Sequence, residues 1–114
     1  MNVERLGATL PVLDVRVIRI ARTLVVELAG EADISSWRSL ESLADTVLGD
    51  DEQPDDVLLD VTRLSFCDVR SVRLIADFCQ QMASAGITSL IRGQSPPLAR
   101  VAALADATLP SEPL

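Results

Sequence analysis

The sequence of 114 residues contains no His, no Lys and no Tyr, so all ten of its positive charges are Arg. These absences exclude an imidazole general base, a His-ligated metal, a Schiff-base lysine and the lysine of a phosphate-binding P-loop. Most familiar enzyme mechanisms are therefore unavailable to this chain. We predict a protein that is not an enzyme and that holds no cofactor and no metal.

Cysteine is also scarce, and the two that are present, Cys67 and Cys79, fit no common site. Their spacing matches neither a Cys-x-x-Cys redox pair nor a zinc site with four ligands. On one helix they would lie about 18 Å apart, which is beyond the reach of a disulfide. We predict reduced thiols in a cytoplasmic protein.

Positive charge is in deficit, because 17 acidic residues outnumber the ten Arg and give a net charge of −7. That sign opposes binding to the phosphates of nucleic acid or to an anionic membrane. No apolar run reaches the length of about eighteen residues that a membrane span needs, and residues 1–11 lack the apolar core of a signal peptide. The sequence therefore predicts no nucleic-acid partner and no membrane insertion.

The first half of the chain has the pattern of a hairpin followed by a helix. Apolar and polar residues alternate over 12–19, and a β-branched run follows over 23–29, which together predict two antiparallel strands. The apolar positions of Trp37–Leu48 recur at spacings of three and four, which predicts a helix. Asp33, or a Ser that follows it, is suited to cap that helix.

The second half has the pattern of a parallel crossover. Val57–Val61 is a short apolar run, typical of a strand covered on both faces. The apolar face of residues 72–83 predicts a second helix that ends near Gly86, and Ile87–Arg92 predicts the next strand. A strand, a helix and a strand in this order form a right-handed parallel crossover. Ser95, followed by two prolines, predicts the start of a third helix.

These elements predict the α/β fold class in a single domain that spans residues 1–114. A hydrophobic content of 48% is enough for one core. The order of elements predicts a mixed four-stranded sheet, an N-terminal hairpin plus parallel crossovers, packed with three or four helices. We predict that residues 1–11 and 108–114 are flexible ends.

The junction between the central strand and the second helix, Leu59–Val72, reads LDVTRLSFCDVRSV and resembles the STAS family, the domain of bacterial anti-sigma factor antagonists. The family's hallmark is a strand that ends in Asp, followed by a Phe-x-Asp-Ser-Ser/Thr-Gly turn that opens a helix. Gly30–Asp33 is similar to the family's Gly-Glu-Leu-Asp motif, and Gly86 and Ser95–Pro97 match its later turns. The resemblance covers residues 13–107. It implies a STAS-like domain of the bacterial cytoplasm whose partner is an anti-sigma factor with a kinase-like ATP-binding fold.

The start of the second helix departs from the family's pattern. When the sequence is aligned on Asp68, the phosphoacceptor Ser or Thr of the family falls on Arg70, and the following Gly falls on Ser71. In the family, phosphorylation of that hydroxyl adds a charge of about −1.5 to −2 and breaks the complex with the anti-sigma factor. Since Arg70 cannot accept a phosphate in this way, we expect binding without the usual switch. The alternative is phosphorylation at Ser71, although one residue along a helix rotates the side chain by about 100°.

The predicted partner-binding residues are Asp33, Asp68, Arg70, Ser71 and Arg73. Arg70 and Arg73 are three residues apart on one helix and are expected to form a cationic ledge for an acidic partner. The alternatives are a surface ion pair between Arg70 and Asp68, a solvated Arg73, and a simple helix-capping role for Asp33.

The sequence also predicts structural rather than binding roles for four further residues. Asp60 is expected to organise the loop ahead of Asp68. Trp37, Phe66 and Phe78 are expected to lie in the core, because each is in phase with apolar neighbours.

Two other functions remain open from the sequence. One is a STAS subunit that regulates the ATPase of a lipid or solute ABC transporter, where no phosphorylation is needed. The other is a module that binds a small anionic ligand at the start of the arginine-bearing helix. The sequence is also compatible with a homodimer.

Overall fold

A computed structural model of the chain describes residues 2–6, 13–107 and 109–111. The strands are β1 (Asn2–Leu6), β2 (Leu13–Ile20), β3 (Thr23–Ala32), β4 (Asp56–Cys67) and β5 (Thr88–Arg92). The helices are α1 (Trp37–Glu41), α2 (Leu43–Leu48), α3 (Val69–Ser84) and α4 (Pro96–Leu104). A 3-10 turn, Ile34–Ser36, precedes α1.

The strands form one mixed sheet in the order β1-β2-β3-β4-β5. The pairs β1–β2 and β2–β3 are antiparallel, whereas the pairs β3–β4 and β4–β5 are parallel. The turn between β2 and β3 contains Ala21 and Arg22, and Ala21 has a positive φ of 54°. The predicted α/β class, the hairpin and the mixed sheet are confirmed.

The sheet in the described part of the chain has five strands rather than the predicted four. The additional strand lies in residues 1–11, which the sequence predicts to be flexible. Asn2–Leu6 pairs with β2 from Asn2↔Arg19 to Leu6↔Val15, because the outer edge of β2 leaves backbone groups free to bond. The other residues of the two predicted flexible ends are outside the described residues, except for 109–111, where the Ile91 N–H donates to the Pro110 carbonyl at 2.7 Å.

One face of the sheet carries the core. Alternate residues of β3 and β4, such as Val26 and Leu59, are fully buried, and they pack with Val72 and Met82 of α3 in one apolar cluster. The same alternation in the sequence predicts these strands. Among the described residues, no helix has both the length and the apolar character needed to cross a membrane.

The predicted helix over 37–48 is divided at Ser42 into α1 and α2. The Ser42 hydroxyl donates to the Ser39 carbonyl at 3.2 Å, and the Thr46 hydroxyl donates to the Ser42 carbonyl at 3.1 Å. Hydroxyl groups that bond backbone carbonyls in this way compete with the helix and bend it.

β4 extends beyond the predicted run Val57–Val61 because it stays paired with β3 as far as Ala32↔Cys67. Its register shifts twice on the way, so β4 contains additional residues relative to β3. At the first shift an Asp60 carboxylate oxygen accepts the Thr62 N–H at 2.9 Å. Asp60 therefore organises a bulge within a strand, where the sequence predicts a loop.

Candidate partner-binding surface

The carboxyl ends of β3 and β4 place two short acidic turns side by side. The parallel strands end together at Ala32↔Cys67, and the Asp68 N–H donates to the Ala32 carbonyl at 3.0 Å. Asp33 and Asp68 each follow directly, and each begins a helical segment. Two of the predicted site residues are thus brought to one edge of the sheet.

Asp68 caps α3 and connects it to α1. Its Oδ1 accepts the Ser71 N–H at 2.7 Å and the Trp37 indole N–H at 3.3 Å. Burial raises the pKa of the Asp68 carboxyl, but hydrogen bonds from Ser71 and Trp37 outweigh that effect and lower the pKa below its usual value. Asp68 is therefore a carboxylate at neutral pH, and its charge also complements the positive end of the α3 dipole.

Arg70 is exposed and is held by α1. Its Nη2 lies 3.3 Å from Glu41 Oε1, and its guanidinium carbon lies 5.4 Å from the centre of the Trp37 ring. The ion pair is with Glu41, so the alternative of a pair with Asp68 is wrong. An exposed ion pair and a cation–π contact each contribute about 1 kcal/mol or less, which leaves Arg70 free to change partners.

Arg73 extends to the opposite side of α3. Its Nε lies 3.4 Å from the carbonyl oxygen of Ala105, just beyond α4, whereas Arg70 contacts α1. The two arginines therefore do not form the predicted ledge. Arg70 contacts α1, whereas Arg73 contacts the residue that follows α4.

Ser71 is fully buried, so its hydroxyl is not exposed to a partner or to a kinase in this structure. Its roles in partner binding and phosphorylation stay predictions. It lies beside the buried Val72 on the inner face of α3, because one residue along a helix turns the side chain by about 100° from the outward Arg70. The Ser71 hydroxyl is close enough to lower the pKa of Asp68, yet it makes no well-formed hydrogen bond with any described residue.

Asp33 has the capping role that the sequence offers as an alternative. Its carboxylate accepts the Ser35 N–H at 3.0 Å and the Ser35 hydroxyl at 2.6 Å. The Ser36 hydroxyl oxygen accepts the Asp33 N–H at 3.0 Å, which completes a capping box. The half-buried carboxylate thus fixes the turn that presents Ile34.

Three apolar side chains that the sequence did not single out as a surface are exposed at this edge. We call Ile34, Phe66 and Val69 the rim patch; they are 73%, 52% and 39% exposed. The prediction that Phe66 lies in the core is wrong, while Phe78, at 2% exposure, is confirmed as core and Trp37 is half-buried. Phe66 follows the alternation of β4, in which Val57, Leu59, Val61 and Cys67 are buried and Phe66 lies at an intervening, outward position.

Comparison with known proteins assigns the chain to a family. The sequence profile of the STAS domain matches residues 14–109, which is most of the chain. The chain belongs to the STAS domain family. No curated protein matches the sequence significantly.

Solved structures have the same fold as this STAS domain. The unphosphorylated anti-sigma factor antagonist SpoIIAA is 18% identical, with a TM-score of 0.67 and 88% of each chain covered. An anti-sigma factor antagonist from Mycobacterium paratuberculosis is 20% identical, with a TM-score of 0.67 over 89% of this chain and 83% of that one. A sulfate transporter family protein from Wolinella succinogenes is 17% identical, with a TM-score of 0.64 over 76% and 69% of the two chains. At these identities the likeness shows the fold alone.

The cysteines of this STAS domain are buried free thiols, as predicted. Burial, with a smaller effect from the Asp68 charge, raises the pKa of Cys67 to about 12. Burial likewise raises the pKa of Cys79. Both thiols are protonated at neutral pH and are therefore weak nucleophiles. Within the part of the chain that the structure describes, no cluster of acidic or Cys side chains is arranged to hold a metal ion.

Proposed function

We propose that this STAS domain is a non-enzymatic bacterial regulator, similar to anti-sigma factor antagonists, that binds an anti-sigma factor with a kinase-like fold in the cytoplasm. The binding surface is the rim patch together with Arg70. The observation that carries this proposal is the position of Arg70, which is exposed beside the rim patch and, among the described residues, contacts Glu41 and the Trp37 ring.

The composition of this surface supports protein binding. Interface cores are rich in aromatic residues and Arg, and a few such residues supply most of the binding energy. The rim patch supplies an exposed Phe and two aliphatic side chains, and Arg70 supplies the cation. Asp33 and Asp68 act indirectly, because their carboxylates fix the turns that carry these groups.

The same geometry supports binding without a serine switch. The outward position in the first turn of α3 belongs to Arg70, which has no hydroxyl. The nearest hydroxyl, that of Ser71, is fully buried and would be reached by a kinase only after the start of α3 had opened. We infer that the amounts of this domain and of its partner in the cell, rather than phosphorylation, control how much complex forms.

Asp68 argues against the alternative of a small anionic ligand. A helix start binds anions through its free N–H groups and its positive dipole. At α3 a carboxylate already occupies that position and accepts the Ser71 N–H at 2.7 Å. A second anion would be repelled by it.

A pull-down from the native cytoplasm, with bound proteins identified by mass spectrometry, tests the proposal. The baits are wild type, Arg70→Glu and Arg70→Ser, with Arg22→Glu as the matched charge control. Arg22 lies in the β2–β3 turn at the other edge of the sheet, where it pairs with Asp55 at 2.9 Å. We expect wild type and Arg22→Glu to retain a kinase-like anti-sigma factor and Arg70→Glu to release it.

Other outcomes would reject the proposal. Retention of a transporter ATPase by all baits would favour the transporter alternative. Equal retention of an anti-sigma factor by Arg70→Glu and wild type would place the interface elsewhere on the domain.

A further inference from the structure

A small apolar cavity lies next to the rim patch, between the end of β4 and α4. Its volume is about 210 Å³. Its apolar walls come from both elements and are formed by Leu64, Phe66, Pro97, Leu98 and Val101. Phe66, which is 52% exposed, thus belongs both to the rim patch and to the wall of the cavity.

The polar side chains of the wall are already engaged within the protein. The Ser65 hydroxyl donates to the Gly30 carbonyl at 2.9 Å, and the Ser95 hydroxyl oxygen accepts the Leu98 N–H at 3.3 Å. The remaining polar group is the buried Cys67 thiol, which is protonated. These side chains offer no charge to an occupant, so the cavity favours an apolar group.

The volume limits what that group can be. An apolar cavity of about 150 Å³ is large enough for benzene, whereas sites for small-molecule ligands measure about 300–1,000 Å³. A cavity of about 210 Å³ therefore has room for one aromatic ring or one large aliphatic side chain. It is too small for a typical cofactor.

Two arginines lie in the segments that line the cavity, although the chain as a whole carries −7 and the earlier part of β4 contains Asp56 and Asp60. Arg63 is the one charged residue in Thr62–Cys67, and Arg100 is the one charged residue in α4. Both are exposed, and neither forms an ion pair or hydrogen bond within the described part of the chain. A segment that docks here would be favoured by carboxylates beside its apolar anchor.

We propose that the cavity between β4 and α4 receives one aromatic or large aliphatic side chain from an acidic segment of the partner protein, whose carboxylates face Arg63 and Arg100. This inference rests on the proposed function, because it names the chemistry of the protein partner. It extends the binding surface from the start of α3 across Phe66 to α4. Val101 and Arg100 are therefore specificity-determining residues.

The test is a titration of the isotope-labelled full chain with synthetic peptides, followed by amide chemical shifts. The probe is a short peptide with one Phe flanked on each side by two Glu residues. Two further peptides replace the Phe by Ala or the Glu residues by Lys. We expect shifts centred on Leu64–Cys67 and Leu98–Val101 with the acidic Phe peptide, and affinities at least tenfold weaker with the other two.

Two kinds of variant locate the site. Val101→Phe fills the cavity from α4 and is expected to abolish the shifts. Because that change could also disturb packing, Arg100→Glu provides an exposed substitution that leaves the core unchanged and is expected to weaken binding at least tenfold. Arg22→Glu, with the same change in charge at the opposite edge of the sheet, is the control and should bind as wild type does.

The outcomes separate this inference from the proposed function. Equal binding of the acidic and basic peptides, or no shift at peptide concentrations of several millimolar, would overturn the cavity proposal even if Arg70→Glu releases an anti-sigma factor. Conversely, peptide binding at the cavity would support it even if the captured partner is a transporter ATPase. In that case the proposed function alone would fail.

Discussion

Replacing Asp68 by Ala should weaken the fold through two lost interactions that meet at one oxygen. Oδ1 accepts the Ser71 N–H at 2.7 Å and the Trp37 indole N–H at 3.3 Å. Loss of an N-cap side chain costs about 0.5–2 kcal/mol, and loss of a typical hydrogen bond costs about 1 kcal/mol. Since both share an acceptor and are not independent, we expect the free energy of unfolding to fall by about 1–3 kcal/mol.

Urea unfolding at neutral pH measures this change. Trp37 is the single Trp of the chain and reports on the site by fluorescence, while far-UV circular dichroism reports on the whole fold. Coincidence of the two transitions is needed for a two-state analysis. Asp77→Ala is the matched control, because Asp77 is exposed on the same helix and has no partner among the described residues. Its effect should lie within about 0.5 kcal/mol.

The pH dependence gives a second measurement at the same residue. The pKa of Asp68 is lowered in the folded state, so its carboxylate contributes stability above the unfolded pKa of about 3.9, and this contribution is lost as the pH falls through the lower folded value. Asp68→Asn keeps an acceptor and a good N-cap but does not titrate. Wild type should therefore lose more stability than Asp68→Asn between about pH 5 and pH 2. Parallel pH profiles, or an Asp68→Ala effect no larger than that of Asp77→Ala, would refute the capping role.

Three further predictions concern burial. Ser71→Ala should leave the free energy of unfolding unchanged or raise it by up to about 1 kcal/mol, because the buried hydroxyl makes no well-formed hydrogen bond; a loss above about 2 kcal/mol in urea would show that it has a partner. Cys67, with a pKa of about 12, should resist iodoacetamide at pH 7.5 in the folded protein and react once urea unfolds it, as mass spectrometry would show. Phe66→Ser should cost less than about 1 kcal/mol, whereas Phe78→Ala should cost about 3–5 kcal/mol; similar costs in thermal or urea unfolding would contradict the exposure of Phe66.

Local signals in the sequence account for the elements that the sequence predicts correctly. Ser95 caps α4 through the Leu98 N–H as the Ser-Pro-Pro start indicates, and Asp33 forms the capping box that its position suggests. The hairpin follows from alternation over two neighbouring segments. In each case the interacting residues are close in sequence or repeat with a fixed period, so no knowledge of distant contacts is needed.

The site depends on contacts that no local pattern contains. The pairing of Arg70 with Glu41, and of Asp68 with Trp37, requires α1 to lie against the start of α3. The extension of β4 as far as Cys67, which fixes the outward position of Phe66, depends on its pairing with β3. The sequence therefore predicts which residues lie near the start of α3, but it cannot predict that Arg73 extends away or that Ser71 is buried.

The contacts of Arg70 resolve an apparent conflict in the sequence. A cation in the first turn of a helix opposes the helix dipole and costs about 0.3–1 kcal/mol. The Glu41 carboxylate at 3.3 Å and the Trp37 ring at 5.4 Å offset a cost of that size, and the Asp68 carboxylate supplies the negative charge that the helix start favours. Because the pair with Glu41 is exposed and weak, a partner's carboxylate can replace Glu41 with little loss of stability in the free domain. Arg70 is therefore oriented toward α1 in the free domain and still able to change its acceptor, which is what the proposed role in partner binding requires.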